Sequence, residues 1–380
     1  MIINNKVKIL MFSGPSGGHL FPAQSLAETI REKWPNAQID LVTSKRAQYL
    51  CSKFPQKIFD SVQYLPEFGS PAGLSFSALK ILFRIPVALA QSWQILARTK
   101  PDICVGFGSF VSFFGMLFAA WQKIPTVIHE QNQVPGKATR MLCSTVNKIA
   151  TSFPETSIPV DSAKVVFTGL PIRKFLRVHA LSLKQKTAKG FTLLVCGGSQ
   201  GSAFLNSLVV KTFSSFTTAE REQFAVIHIT GSGQEHAVKA GYQELGLRAE
   251  VYSFLEEMQL VYNRADAAVS RAGANSSFEQ ALFGIPTVFI PYPLADAHQE
   301  WNARYFVQNG GAVSYAQNDE AVKSVSAQLK SWMLRDSAYH RMSRAMLNVA
   351  QNDGHELLFR VVEKELERKQ NDKLELSENI

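Results

Sequence analysis

The chain has 380 residues, of which 46% are hydrophobic, and it carries 40 Lys and Arg against 31 Asp and Glu, a formal net charge of +9. This length suits two or three domains and this apolar content can build full cores, so a disordered or fibrous chain is excluded. The four cysteines are scattered without a C-x-x-C pair, which argues against a structural zinc site and favours a reducing compartment.

The first predicted element is a strand at Val7–Phe12, which runs directly into the glycine loop SGPSGGH and then a helix. Because its apolar stretch is short and ends in that loop, we interpret it as a strand rather than a secretory signal. The same order of apolar run, glycine loop and helix returns at Phe191–Leu208, with CGGSQGS. Glycine allows close approach to a ligand, and helix N-terminal amides favour an anion. The repeat therefore predicts two Rossmann-like halves, each with an anion-binding loop.

Short apolar runs alternate with helical patterns along the whole chain. In the first half the predicted strands are Val7–Phe12, Gln38–Thr43, Ile103–Val105, Thr126–His129, Lys148–Thr151 and Val165–Thr168. In the second half they are Phe191–Cys196, Phe224–Thr230, Glu250–Ser253, Ala267–Ser270, Thr287–Ile290 and Ala312–Val313. Pro22 is expected in the first turn of its helix. Such alternation predicts an α/β protein with parallel, doubly wound sheets covered on both faces.

The polar segment 178–190 separates the two patterns. We predict a first domain over 1–175, a second over 176–368 whose last helix can pack back on the first domain, and a charged, frayed tail over 369–380. In doubly wound domains the ligand lies where the carboxyl ends of the strands meet, so the glycine loops are expected to line the site.

The positive charge is confined to the first half. Residues 1–175 hold 19 Lys and Arg against 9 Asp and Glu, whereas residues 176–380 hold 21 against 22. A basic first domain suits an anionic membrane surface or a phosphorylated substrate, and a merely solvated face remains an alternative. No nucleic-acid-binding signature is present, so nucleic acid is not an expected partner.

Two apolar segments resemble membrane spans. Leu74–Leu96 contains Lys80 and Arg84, and Pro86 is expected to interrupt any single helix there. The segment fits either a surface dipping into lipid headgroups or a buried helix pair with snorkelling cations. In the uncharged stretch Ile103–Gln122, the helical part would be about 17 Å long, too short for a hydrocarbon core of about 30 Å. We therefore predict no transmembrane helix.

Polar residues suited to binding phosphate and sugar hydroxyls follow two strands of the second half. The run RAGANSSFE (271–279) follows a strand and opens a helix, so its small residues offer amides to a phosphate while Glu279 can accept both hydroxyls of a ribose. Gln299 and Asn302 are three residues apart on one helical face, where their amides suit sugar hydroxyls. This pattern predicts a site for a phosphate, a ribose and a further sugar.

Six motifs in order carry a family resemblance: GPSGGH, HEQN (129–132), GLPIR (169–173), GGSQG (197–201), RAGANSSFE and HQEWNA (298–303). Together they resemble the MurG family of peptidoglycan glycosyltransferases, which transfer N-acetylglucosamine from UDP-GlcNAc to lipid I, undecaprenyl-pyrophosphoryl-MurNAc-pentapeptide, giving lipid II. The resemblance implies the GT-B fold, with two Rossmann-like domains separated by a cleft. It also implies a peripheral enzyme on the cytoplasmic face of the bacterial inner membrane, with cell-wall assembly proteins as possible partners.

The resemblance assigns most candidate site residues. Uracil is expected near Phe254 and Leu255, ribose at Glu279, and the sugar at Gln299 and Asn302. The remaining donor residues are expected around the diphosphate: Arg173, Ser199, Gln200, Gly201, Arg271 and Ala274. The acceptor diphosphate is expected at two glycine turns in the first domain: Gly14, Ser16, Gly17, Gly18, Gly106, Gly108 and Ser109. Pro15 stands where the family more usually has glycine, which stiffens the first turn.

The implied reaction inverts the sugar linkage and uses neither a metal nor a cofactor. His19 is the candidate base that accepts the proton of the MurNAc 4-hydroxyl, with Asn132 close to the reaction. The alternative for His19 is a structural hydrogen bond, and for Arg173 an ion pair. His129 and Glu130 are interpreted as structural. The chain lacks a D-x-D signature of metal-using glycosyltransferases, and no metal ligand is predicted.

Three other function classes are alternatives. A GT-B enzyme acting on a diacylglycerol acceptor would share the donor half and differ at His19 and HEQN. A dinucleotide-dependent oxidoreductase would need G-x-G-x-x-G and an acidic residue about twenty positions on, which neither loop provides. A non-catalytic membrane adaptor would not need the sugar-reading side chains.

Overall fold

The computed structural model describes residues 7–65, 76–180, 190–198, 201–293, 297–350 and 352–378, with the backbone alone for 76–85 and 373–378. The chain divides into two compact units. The first comprises residues 1–173 and 353–380, and the second comprises residues 174–352.

The first unit contains a seven-stranded sheet in which every pair of neighbours is parallel. Its strands are β1 (Lys8–Ser13), β2 (Gln38–Ser44), β3 (Ser61–Leu65), β4 (Ile103–Phe107), β5 (Thr126–Glu130), β6 (Lys148–Thr151) and β7 (Val165–Phe167). Their spatial order is β3-β2-β1-β4-β5-β6-β7. The order reverses between β1 and β4, the switch point at which doubly wound sheets bind ligands.

Helices cover both faces of this sheet. They are α1 (Gly17–Lys33), α2 (Gln48–Cys51), α3 (Phe76–Thr99), α4 (Ser109–Trp121), α5 (Lys137–Leu142) and, from the C-terminus, α15 (Gly354–Glu378). Alternate residues of β1 enter two separate cores: Ile9 and Met11 face one, and Leu10 and Phe12 face the other. Two buried faces explain why this strand is continuously apolar.

The second unit contains a six-stranded sheet, again parallel throughout. Its strands are β8 (Phe191–Cys196), β9 (Phe224–Ile229), β10 (Arg248–Tyr252), β11 (Ala267–Ser270), β12 (Thr287–Phe289) and β13 (Ala312–Ser314). The order is β10-β9-β8-β11-β12-β13, with the switch point between β8 and β11. In each unit the repeated glycine loop therefore follows one of the two strands at the switch point, β1 in the first unit and β8 in the second, as the sequence repeat predicts.

The helices of the second unit alternate with its strands. They are α6 (Lys174–Ala180), α7 (Ala203–Ser214), α8 (Thr218–Glu222), α9 (Glu235–Glu244), α10 (Met258–Arg264), α11 (Ala274–Leu282), α12 (His298–Gln308), α13 (Ala321–Met333) and α14 (Ser337–Val349). The main core of this unit gathers apolar residues of β8, β9 and α7 around the buried Phe213 and Trp332. The α/β, doubly wound fold class predicted from the sequence is confirmed.

The structure corrects two expectations about proline. Pro22 lies in the second turn of α1, because the helix begins at Gly17. Pro86 does not interrupt α3, which continues from Phe76 to Thr99 around it. An internal proline removes one hydrogen bond and costs about 3 kcal/mol. Burial of Ile95 and Leu96 in one core with strand residues of the sheet offsets that cost.

The C-terminal helix lies with the first unit. Residues 353–368, placed by the sequence in the second domain with a last helix able to pack back on the first, group with the first unit. Helix α15 packs on α1, where Phe359 contacts the Trp34 ring with centroids 4.7 Å apart. The helix continues to Glu378, beyond the start of the predicted frayed tail. Within the described residues, no helix is both long and apolar enough to cross a membrane.

Candidate functional site

Two glycine turns meet at the switch point of the first unit. The register pairs Ser13 at the end of β1 with Phe107 at the end of β4, so the turns that follow lie side by side. A Cβ atom added to Gly14 would lie 2.7 Å from Cβ of Ser109. Gly108 has a φ of 78°, a conformation that favours glycine. The structure thus brings together the two turns that the sequence assigned to one diphosphate.

The imidazole of His19 lies between these two turns. A Cβ atom on Gly14 would be 2.8 Å from its Nδ1, and one on Gly108 would be 3.1 Å from its Cδ2. Nδ1 lies 2.9 Å from Oγ of Ser16. The residue as a whole is half-buried, and burial of the imidazole lowers the pKa of His19 to about 4. His19 is therefore neutral at pH 7, the state in which an imidazole accepts a proton.

Two helices begin at this same edge. Ser16 precedes α1 and Gly108 precedes α4, and neither helix has a side-chain hydrogen bond at its N-cap from the residues that the structure describes. Ser109, the first residue of α4, has a φ of 70°, which is unusual for a side-chain-bearing residue. Gly17 and Gly18 form the first turn of α1, and Gly106 in β4 packs under Met116. Two helix N-termini give this edge a partial positive charge that suits a diphosphate.

The HEQN segment forms a hydrogen-bonded loop after β5. Glu130 accepts hydrogen bonds from the backbone of Asn132 (3.0 Å) and Gly136 (2.9 Å) and from Thr139 Oγ1. Asn132 Nδ2 also lies 3.4 Å from Glu130 Oε1, so the candidate Asn132 is held by this carboxylate. The interpretation of Glu130 as a structural residue agrees with these bonds.

His129 is fully buried, with Nε2 3.1 Å from Oγ of Ser152 and Nδ1 3.3 Å from Nε2 of Gln131. Burial lowers its pKa to about 3. Gln131 also donates to the carbonyl of Phe107, and its Oε1 would lie 3.7 Å from a Cβ atom on Gly108. His129 is thus a packed, hydrogen-bonded histidine, and Gln131 is a support of the second turn that sequence reasoning missed.

Arg173 belongs to the first unit, where its guanidinium carbon lies 3.7 Å from the centroid of the Phe21 ring. The side chain is buried, with 7% of its area exposed. This cation–π contact fixes the guanidinium beside α1. The predicted phosphate contact of Arg173 remains a prediction.

In the second unit, the register pairs Cys196 at the end of β8 with Ser270 at the end of β11. The following glycine loop therefore lies beside the RAGANSSFE turn. Gly201 has a φ of 74°, and a Cβ atom there would be 2.2 Å from the carbonyl oxygen of Thr230. Only glycine fits this position. Ser199 and Gln200 lie outside the described residues.

A direct hydrogen bond joins the two loops of this second switch point. Nη2 of Arg271 donates to Oγ of Ser202 at 2.8 Å, and Nη1 donates to the carbonyls of Ile290 and Pro291 at 2.8 and 3.2 Å. Ser202 also caps α7 by accepting from the amide of Leu205. Arg271 thus connects the loops after β8, β11 and β12. Sequence reasoning missed Ser202, although its position before a helix is a recognisable N-cap signal.

Glu279 lies in α11 with 6% of its area exposed, and Oε2 accepts a hydrogen bond of 3.0 Å from the Tyr262 hydroxyl. Ala274 is the first residue of this helix, after Gly273. No described side chain caps the N-terminus of α11, so the helix amides there suit an anion. The structure places Glu279 in the same helix whose N-terminus adjoins the glycine loop.

The remaining donor candidates also lie at this edge. Oε1 of Gln299 accepts from the amide of Tyr292 at 3.0 Å, and Nδ2 of the fully buried Asn302 donates to the carbonyl of Ala272 at 3.1 Å. The side-chain amides of Gln299 and Asn302 therefore connect α12 to neighbouring loops by hydrogen bonds. Phe254 and Leu255 follow β10 and are half-buried. Among the described residues, no group of three His, Cys, Asp or Glu side chains can hold a metal ion.

Family models match both units of the chain. The N-terminal domain of glycosyltransferase family 28 matches residues 9–151, and its C-terminal domain matches residues 192–358. Curated relatives are named UDP-N-acetylglucosamine–N-acetylmuramyl-(pentapeptide) pyrophosphoryl-undecaprenol N-acetylglucosamine transferase. The relative from Desulfotalea psychrophila is 37% identical over 82% of this chain and 84% of its own length. That from Psychromonas ingrahamii is 32% identical over 93% and 97%.

Solved structures share the fold. Acinetobacter baumannii MurG superposes with a TM-score of 0.73 at 24% identity, covering 94% of this chain and 99% of its own. The UDP-GlcNAc 2-epimerase of Neisseria meningitidis gives 0.67 at 14% identity, covering 94% and 100%. The expected GT-B class of two Rossmann-like domains is thereby confirmed. With both of its domain models matched and relatives above 30% identity over most of its length, the chain belongs to glycosyltransferase family 28.

Proposed function

We propose that this chain transfers N-acetylglucosamine from UDP-GlcNAc to the MurNAc 4-hydroxyl of lipid I, giving lipid II for peptidoglycan synthesis. The observation that carries the proposal is the 37% identity, over 82% of the chain, to a relative named for this transfer. The placement of a phosphate-suited edge in each unit supports it, since both substrates contain a diphosphate.

The second unit is the proposed donor site. The N-terminus of α11, at Ala274, and the Gly201 loop with Ser199 and Gln200 would hold the UDP diphosphate. Arg271 would serve this site by fixing the loop through its hydrogen bond to Ser202.

The carboxylate of Glu279 would accept the ribose hydroxyls, for which its bond from Tyr262 orients it. Phe254 and Leu255 would contact uracil. Gln299 and Asn302 would define the sugar pocket.

The first unit is the proposed acceptor site. Its two neighbouring helix N-termini, with Gly14, Ser16, Gly106 and Gly108 around them, suit the lipid-borne diphosphate. The excess of basic residues in 1–175 favours the same anionic substrate.

His19 is the proposed base. The MurNAc 4-hydroxyl attacks C1 of GlcNAc, its proton passes to Nε2 of His19, and the C1–O bond to UDP breaks with inversion at C1. This role requires the tautomer in which Nδ1–H donates to Oγ of Ser16, 2.9 Å away, leaving the Nε2 lone pair available. Asn132 is proposed to lie near the reacting sugar.

UDP leaves as an anion, and we propose that it needs no metal ion for this. Preorganised amides at the start of α11 and the guanidinium of Arg173 would stabilise the developing charge. Undiminished turnover in the presence of a chelator is the expected result.

We further propose that the first unit binds an anionic membrane surface, on the cytoplasmic face of the inner membrane. Its helices expose Trp93, Trp121 and Met141, with 53%, 65% and 56% of their areas accessible. The rings of Trp93 and Trp121 both pack against Phe118. Exposed aromatic rings in a basic domain suit the interfacial region of a bilayer. The side chains of Lys80 and Arg84 lie outside the described residues.

The function is tested by analysing the reaction product. Purified protein incubated with UDP-GlcNAc and a lipid I analogue should give an acceptor heavier by one N-acetylglucosamine, joined by a β linkage in its proton NMR spectrum. An α linkage would contradict inversion, and an unmodified acceptor would contradict the function.

A further inference from the structure

A buried polar network lies beneath the proposed donor loop, apart from every residue given a role above. His228 at the end of β9 is fully buried, with Nδ1 2.7 Å from the hydroxyl of Tyr242 and Nε2 3.0 Å from Oδ1 of Asn206. Nδ2 of Asn206 in turn lies 3.1 Å from the carbonyl oxygen of Thr230. Three elements, β9, α7 and α9, are thus connected through one histidine.

The direction of every hydrogen bond in this network follows from one backbone group. The Thr230 carbonyl can only accept, so Asn206 must turn its Nδ2 donor toward it and its Oδ1 toward His228. Oδ1 needs a donor, so Nε2 of His228 carries the proton. Nδ1 is then an acceptor for the Tyr242 hydroxyl. Burial lowers the pKa of His228 to about 3 and raises that of Tyr242, so this arrangement is unchanged around neutral pH.

The network ends directly on the glycine loop. The Thr230 carbonyl that Asn206 holds is the atom a Gly201 Cβ would approach to 2.2 Å, and Cα of Gly231 would lie at 2.6 Å. Gly201 therefore rests on the Thr230–Gly231 backbone with no space between them. A shift of that carbonyl would move Gly201. It would also disturb the next residue, Ser202, which caps α7.

We propose that His228, acting through Asn206 and the Thr230 carbonyl, is a positioning residue that sets the shape of the Gly201 loop for the diphosphate of the donor. His228 does not touch the substrate. Its essential contribution is the Nε2–H donor to Asn206, whereas the Tyr242 hydroxyl, which can donate or accept, only satisfies Nδ1. The inference rests on the proposed donor role of the second unit.

Two substitutions separate these two bonds. In His228→Gln the side-chain amide can still donate to Asn206, because its nitrogen occupies the place of Nε2. In His228→Asn the oxygen can still accept from Tyr242, but no donor reaches Asn206. We expect His228→Asn to raise the dissociation constant for UDP about tenfold, as the loss of one buried hydrogen bond would. His228→Gln should stay within about twofold of the unmodified protein, with the KM for the lipid acceptor unchanged in both.

Asn206→Ala tests the same link from α7 and should weaken UDP binding as much as His228→Asn does. Thr212→Ala is the matched control, because Thr212 is a buried polar residue of the same helix that bonds the Leu208 carbonyl, away from the glycine loop. It should lower the melting temperature without changing UDP affinity.

UDP affinity is measured by calorimetry on the full chain. Equal UDP affinities of the Gln and Asn variants, or failure of both His228→Asn and Asn206→Ala to fold, would overturn the positioning role. Absence of UDP binding by the unmodified protein would instead refute the proposed donor function.

Discussion

Oγ of Ser16 lies 2.9 Å from Nδ1 of His19, within the first turn of α1. This hydrogen bond joins the residue that precedes the helix to the candidate base. Ser16 fixes the orientation of the imidazole, and in one tautomer it leaves Nε2 ready to accept a proton.

His19→Ala should lower kcat by about 10²- to 10⁴-fold, the usual contribution of a general base, with little effect on UDP affinity. Ser16→Ala should lower kcat less, by about tenfold, because a ring without its Nδ1 partner samples other orientations. Steady-state kinetics with both substrates measure the two effects. A His19→Ala enzyme that keeps its kcat would eliminate the base role.

In the pH profile of kcat/KM, the loss of activity on the acid side should begin at an unusually low pH. In the proposed mechanism the neutral form of His19 is the active one, and since its pKa is lowered to about 4, it stays neutral as the pH falls from 8 to 5.5. kcat/KM should therefore be nearly constant over this range. A histidine with its ordinary pKa of about 6.5 would lose about tenfold by pH 5.5. Such a loss would show that His19 is solvated in the free enzyme.

Much of this fold follows from local sequence. Twelve strands lie where apolar runs predict them, and most of these are buried on both faces and therefore continuously apolar. β3 at Ser61–Leu65 was missed, since it is an edge strand whose residues are mostly half-buried. The continuation of α3 through Pro86 was also missed. The burial that offsets the cost of this proline comes from tertiary contacts, which the local sequence does not show.

The loops of the candidate site could be predicted from the sequence, but the contacts between their side chains could not. Glycine turns after adjacent parallel strands lie side by side, and the family resemblance already implies that the Gly14 and Gly108 turns serve one diphosphate. The bond between Ser202 and Arg271, 69 residues apart, depends on the register of β8 against β11, which sequence does not specify. The lowered pKa of His19 likewise arises from packing.

Gly201→Ala should disable donor binding. Its Cβ would meet the Thr230 carbonyl at 2.2 Å, so the loop must move. Gly233 is the matched control: its φ of 77° is similar, but no atom lies within 4 Å of an added Cβ. Gly233→Ala should cost only about 1 kcal/mol in unfolding free energy and leave UDP affinity unchanged. Equal UDP affinities of the two variants would contradict the tight loop.

Glu279→Gln should raise the KM for UDP-GlcNAc about tenfold, because an amide accepts the two ribose hydroxyls less well than a carboxylate. Tyr262→Phe removes only the hydroxyl that orients Glu279 and should raise this KM less. Both KM values come from initial rates at saturating acceptor. An unchanged KM in Glu279→Gln would remove the ribose assignment.

Trp121→Ser combined with Trp93→Ser should weaken binding to vesicles that contain anionic lipid by at least about tenfold, since two exposed indoles are lost. Leu334→Ser is the control, because Leu334 is 73% exposed but lies in the second unit. Vesicle sedimentation at low and high salt measures the effect. Equal losses in the tryptophan and control variants would place the membrane surface elsewhere.

The central claim is transfer from UDP-GlcNAc to a lipid diphosphate acceptor. Its most direct test is the release of UDP by the purified protein, measured in parallel without acceptor, with a lipid I analogue and with diacylglycerol, each with and without a chelator. We predict release only with the lipid I analogue and at the same rate in chelator. Release with diacylglycerol and none with the lipid I analogue would contradict the account.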